Sequence, residues 1–158
     1  MDHPISLKQV AEVLNVHRSR VEQAISRGQF LPRLFSEPGK PREWTVSEVM
    51  RLAVFFDLVD NIGMDPKDAG RLTQGGLYGF KDGAAIFVAW QGEHASATYP
   101  EGSNEPLRAE VPGAWYGEIL RAHDAGEFVT NSWVHRSVLV NLDRIEAQLQ
   151  AEWPGRTA

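Results

Sequence analysis

The chain has no cysteine among its 158 residues, so no disulfide framework holds it together and thiol chemistry, catalytic or metal-sensing, is excluded. It has no apolar run approaching the roughly 20 residues that a bilayer-spanning helix needs. Its start does not combine basic residues with an apolar stretch, so neither export nor membrane insertion is expected and the cytoplasm is the default location. A surplus of positive charge is also missing: 16 Lys and Arg against 21 Asp and Glu leave a net charge of -5. There is no His-x-x-x-His helix pair, no Gly-x-Ser-x-Gly elbow, no P-loop and no Gly-x-Gly-x-x-Gly, and no enzymatic activity or cofactor is expected. What remains is 42% hydrophobic and 23% charged, the composition of an ordinary globular protein of one or two small domains.

The stretch Leu7 to Pro32 carries the most information. Val10, Ala11 and Leu14 share one face at helical spacing, with Leu7 a turn earlier, which predicts a first short helix. Asn15 follows where the chain must turn sharply, and Asn tolerates the left-handed conformation better than most residues. Val16, Val21, Ala24 and Ile25 then define the buried face of a second helix, stopped by Gly28. That leaves His17, Arg18, Ser19, Arg20, Gln23 and Arg27 looking outward. Such a face supplies donors for phosphates and for base edges in the major groove of DNA.

Phe30 to Trp44 reads as two short strands around the Pro- and Gly-rich turn Ser36-Glu37-Pro38-Gly39-Lys40-Pro41. From His17 to Arg42 there are six basic residues, Arg18, Arg20, Arg27, Arg33, Lys40 and Arg42, against the two acids Glu22 and Glu37. In a chain that is negative as a whole, the basicity is local. The next segment has too many apolar residues for one core-facing stripe: Val46, Val49, Met50, Leu52, Ala53, Phe55, Phe56, Leu58 and Val59. Part of this third helix must meet a partner, either the second half of the chain or a second copy. Thr45 is its nearer N-cap candidate and Ser47 another, with Glu48 completing a capping-box pattern. Gly63 ends it, and Asp65-Pro66 opens a fourth helix.

The order and spacing of these parts resemble the winged-helix DNA-binding domain of the MerR and excisionase superfamily, over Leu7 to about Thr73. The resemblance is carried by Val16-His17-Arg18-Ser19-Arg20-Val21, by Ser26-Arg27-Gly28-Gln29-Phe30-Leu31-Pro32, and by Arg42-Glu43-Trp44-Thr45-Val46-Ser47-Glu48-Val49 followed by Leu58 to Ala69. It implies a recognition helix over 16–28 in the major groove, with Arg18, Ser19, Arg20 and Gln23 at the bases. It implies a wing over 33–42, with Arg27, Arg33, Lys40 and Arg42 on the backbone and the wing tip near the minor groove. The chain departs from the MerR pattern in having Glu22-Gln23-Ala24-Ile25 where an Arg-Tyr-Tyr-Glu run is usual. It also runs into Gly75-Gly76-Leu77-Tyr78-Gly79-Phe80 instead of a long coiled coil, so the usual dimer seam is not expected.

Beyond Gly75 the character changes. Leu77 to Phe80, Lys81-Asp82-Gly83 and Ala84 to Trp90 read as a β-hairpin with a nearly continuous apolar second strand. Ala95 to Tyr99 reads as a third strand and Pro100 to Pro112 as a surface loop. Trp115 to His123 has Tyr116, Ile119 and Leu120 at helical spacing, ended by Asp124-Ala125-Gly126. A strand over Val134 to Val140 and a last helix from about Leu142 to Trp153, stopped by Pro154-Gly155, complete the reading.

The expected fold class is α+β: a MerR-like winged helix-turn-helix over 1–74 and a small antiparallel α+β domain for dimerisation, sensing or interaction over 75–158. The expected function is a sequence-specific, double-stranded DNA-binding transcription regulator acting as a homodimer, with RNA polymerase or another protein as a further partner. The alternatives are a phage-type architectural or packaging protein, such as an excisionase or terminase small subunit, and a protein-interaction adaptor. His94, His123 and His135 with Asp82, Glu93, Glu118 and Asp124 lack catalytic or metal-site spacing, and Glu93-His94 is the best of several weak metal seeds. Trp90, Trp115 and Trp133 could line an aromatic pocket, although core packing accounts for most tryptophans.

Overall fold

A computed structural model describes residues 3–33, 38–75, 77, 84–92, 113–132 and 134–155. In chain order the elements are α1 (Leu7–Val13), α2 (Arg18–Ser26), α3 (Val46–Asp60), α4 (Pro66–Leu72), β1 (Ala85–Gly92), β2 (Tyr116–Arg121), α5 (Ala122–Val129), β3 (Val134–Asn141) and α6 (Leu142–Glu152). They make an α+β protein with one three-stranded antiparallel sheet. The chain forms two compact units, residues 1–78 with 142–158, and residues 79–141. The last helix therefore belongs with the first four and not with the sheet it follows. Among the described residues no helix is long and apolar enough to cross a membrane.

In the first unit α1 to α4 are each started by a local cap. Ser6 forms a capping box with Gln9, and Asp65 caps α4 with Pro66 at its first position. Thr45 caps α3, its hydroxyl accepting from the Glu48 amide at 3.4 Å. Glu48 does not close the capping box that its spacing predicts; its carboxylate is buried and turned to Arg51 and Arg33 instead. Gly63, with φ of 74°, lies beyond the end of α3, where the Met64 amide reaches back to the Leu58 carbonyl at 3.0 Å.

The crowded apolar surface of α3 is explained by α6, which packs on it with Leu142 and Leu149 buried. The Trp153 indole donates to the His3 carbonyl at 3.3 Å and ties the end of this unit to its beginning. The deepest side chains include Trp44, Phe30 and Phe55, with Phe30 stacked near Trp44 at 6.4 Å between ring centroids. Full burial of an aliphatic or aromatic side chain contributes roughly 1.5–3 kcal/mol, so packing of this kind outweighs helix propensity in helices of seven to fifteen residues.

The second unit is organised around β1, which is central in the order β2-β1-β3. Val88 faces Glu118 on one side and Leu139 on the other. Ile86, Val88 and Trp90 pack with Ala125 of α5, joined by Tyr116, Leu120, Phe128, Val129 and Val134. Two sequence expectations fail here. Because both edges of β1 are occupied by β2 and β3, Ala84 to Trp90 has no edge left for a hairpin partner in Leu77 to Phe80.

Tyr116 to Arg121 is a strand and not a helix, and the helix begins at Ala122 and runs through the expected stop at Asp124-Ala125-Gly126. Tyr116 and Leu120 share a face at a strand's period of two as well as at a helical spacing of four, and pairing with β1 decides between them. β3 and α6 match their expected positions. The turn at Lys81-Asp82-Gly83, the strand at Ala95 to Tyr99 and the loop from Pro100 to Pro112 lie outside the described residues.

Candidate nucleic-acid interface

α1 and α2 meet at a tight corner. Asn15 has φ of 50°, the one positive value among the described non-glycine residues, and the Val16 amide donates to the Ala11 carbonyl at 3.0 Å. His17 then caps α2, its Nδ1 accepting from the Ser19 amide at 3.4 Å and lying 2.7 Å from the Ser19 hydroxyl. Gly28, with φ of 67°, turns the chain away from the helix after the C-cap Arg27.

Val21 and Ala24 bury one side of α2. At about 100° per residue, the opposite stripe runs through Ser19, Gln23 and Ser26, with Arg18 and Glu22 on one flank and Arg27 on the other. All six of these residues are exposed.

The arginines are not equivalent. Arg18 donates through Nε to Glu22 Oε1 at 2.9 Å, one helical turn away, and its side chain is 59% exposed. Arg20 leaves the stripe for α3: Nη1 donates to Asp60 Oδ2 at 2.8 Å, and Nη2 donates to Oδ1. Its guanidinium also lies over the Phe56 ring, 4.8 Å from the centroid. The hydrogen bond to Asp60 raises the Arg20 pKa above its ordinary value, so the group is charged at any working pH. Arg27 is exposed at the helix end.

Arg33 is engaged within its own unit, its amide donating to Glu48 Oε2 at 3.0 Å and its guanidinium to the Gln74 carbonyl. Lys40 is exposed beside Gly39, whose φ is 83°, and Arg42 is half-buried.

The expected wing is only partly within the described residues, since 34–37 are outside them. On either side of that gap the described residues form no ladder with each other. Trp44 pairs instead with Ile5, the two exchanging main-chain hydrogen bonds at 2.8 and 2.9 Å. Pro32, Pro38 and Pro41 have no amide to donate, which limits the ladder that the described residues of this segment could form.

The base of this segment is held by a buried network that the sequence reading missed. Arg51, 1% exposed, donates to both oxygens of Glu48 at 2.7 and 2.8 Å, to the Thr73 carbonyl at 2.6 Å and to the Leu31 carbonyl at 3.3 Å. A Glu-x-x-Arg pair inside an otherwise apolar helix was the signal available. Burying two charges is tolerable because nearly every donor and acceptor is used.

The remaining candidates are dispersed. His123, Asp124 and Glu127 gather on α5 with potential ligand atoms within 4.8 Å of one another, but all three are exposed. His135 and Glu118 stand on different strands, and partial desolvation raises the pKa of Glu118, whose side chain is exposed on β2, above its ordinary value. His94, Glu93, Asp82 and Trp133 lie outside the described residues.

Trp90 is covered by Phe128 edge-on at 4.8 Å and by Tyr116 at 5.9 Å, so its ring is a core element. Compared with known proteins, the chain matches no family model and no curated sequence.

Proposed function

We propose that the protein is a sequence-specific double-stranded DNA-binding transcription regulator whose reading head is a MerR-like winged helix-turn-helix. The observation that carries this reading is the left-handed corner at Asn15 between two short helices, the second presenting Arg18, Ser19, Gln23 and Arg27 on an exposed stripe. A helix of this kind fits the major groove with its first residues nearest the bases. Arg27, Lys40 and Arg42 hold the backbone, and the anchored Arg33 fixes where the wing leaves the body.

The local excess of positive charge against a negative whole favours a defined footprint over general adhesion to DNA. Homodimerisation is part of the proposal because one such head offers a small interface and two copies on a two-fold site multiply affinity. The α3 surface lends no weight to it, since α6 covers that surface.

Selection of bound duplexes from a random pool tests the reading: a defined motif is expected, with affinity that falls as salt rises. Lys40→Ala is expected to weaken binding to all sequences and to flatten the salt dependence. Binding of every duplex that is unchanged by Arg18→Ala with Arg27→Ala would sink the proposal. Light scattering with and without the selected duplex reads the stoichiometry.

A further inference from the structure

We infer that the two arginines at the start of α2 divide the work: Arg18 reads a guanine edge in the major groove, while Arg20 is a positioning residue that seats α2 on α3. This rests on the DNA-reading role proposed above. From sequence the two look interchangeable, but residues two apart on a helix stand about 200° apart around its axis.

Arg20 has both terminal nitrogens on the Asp60 carboxylate and its plane on Phe56. Those two donors are the ones that a guanine's O6 and N7 would need. Turning Arg20 toward a base would break a bidentate pair and leave Asp60 as an unneutralised carboxylate facing phosphate oxygens.

Arg18 is bound differently. It is the first residue of α2, the end of a recognition helix that comes nearest the bases. Its bond to Glu22 runs through Nε, so the carboxylate steadies the guanidinium from the side while its terminal fork stays suited to a two-acceptor edge. Among the four bases only guanine presents two acceptors together in the major groove.

The test is selection and affinity measurement with the full chain and with Arg18→Ala, Arg20→Ala, Asp60→Asn and the reversed pair Arg20→Asp with Asp60→Arg. The wild-type motif is expected to contain a guanine whose preference drops at least about fivefold in Arg18→Ala, the other positions being kept.

Arg20→Ala and Asp60→Asn are expected to keep the motif and to weaken binding to every duplex by similar factors, and the reversed pair to recover most of the loss. A changed base preference in Arg20→Ala, with Asp60→Asn binding as tightly as wild type, overturns the positioning role. A motif without any guanine that depends on Arg18 overturns the guanine assignment while leaving DNA reading intact. If the wild type enriches no duplex, the DNA reading fails and takes the guanine assignment with it. Amide exchange in α2 then decides the positioning role alone: faster exchange in Asp60→Asn supports it, and unchanged exchange overturns it.

Discussion

Gly70 lies inside α4 and Gly126 inside α5, one helical glycine in each compact unit. A Cβ built at Gly70 would stand 1.7 Å from the Gln29 carbonyl oxygen, whereas at Gly126 it would meet nothing within 4 Å. The first glycine is required by a main-chain contact, because α4 presses on the segment where the chain leaves α2. The second is only tolerated, on a helix that turns one side to its sheet and the other to solvent.

Buried charge follows the same division. Glu48, Arg51 and Thr73 are the buried polar residues among those described, and all lie in the first unit, while the core cluster of the second is apolar and aromatic. A unit whose elements are fixed by close approach and paired charge holds its exposed stripe in one orientation, which is what the proposed DNA-reading role requires.

The largest expected effect is at Gly70. Gly70→Ala must displace backbone, and a loss of about 5 kcal/mol or more in urea unfolding is expected, in the range reserved for such clashes; a loss below about 1 kcal/mol would show that α4 and Gln29 separate easily.

Next is Arg51→Met, which strands the Glu48 carboxylate and is expected to cost about 3–5 kcal/mol, most of it recovered when Glu48→Leu is added. Failure of the second substitution to recover stability would mean that the bonds to the Thr73 and Leu31 carbonyls, not the ion pair, dominate.

Gly126→Ala is expected to stabilise by about 0.5–1 kcal/mol through helix propensity and reduced freedom of the unfolded chain. Destabilisation there would erase the contrast between the two glycines.

The smallest effect concerns Glu118. Its pKa is raised by desolvation, so the fold holds the proton more tightly than the unfolded chain does. Its contribution is present at low pH and lost as pH rises through the raised value. Glu118→Gln is therefore expected to be more stable than wild type at neutral pH, the difference shrinking as pH falls through the carboxylate range. A difference independent of pH would assign the effect to packing.

Much of the first unit was legible because its signals are local. Asn15 in the left-handed region, Gly28 and Gly63 past helix ends, Thr45 and Asp65 as caps, and the apolar spacing of α1 and α2 all involve residues within one or two turns of each other. The outward side of α2 was legible for the same reason. Arg20 was the exception, because its partner Asp60 is 40 residues away and nothing within α2 distinguishes it from Arg18. The strand Tyr116–Arg121 was misread because its apolar spacing fits two periods, and only a neighbour such as β1 can choose between them.

By itself, then, the sequence determined the approximate positions of the first four helices, the sharp corner at Asn15, the local basic charge and the absence of thiol chemistry, since each depends on backbone preference or composition. Tertiary structure alone decided that α6 covers α3, that β1 is central, that Gly70 must be glycine and that Arg20 is held by Asp60. Each of these is a contact between segments distant along the chain, where burial and pairing override what either segment prefers in isolation.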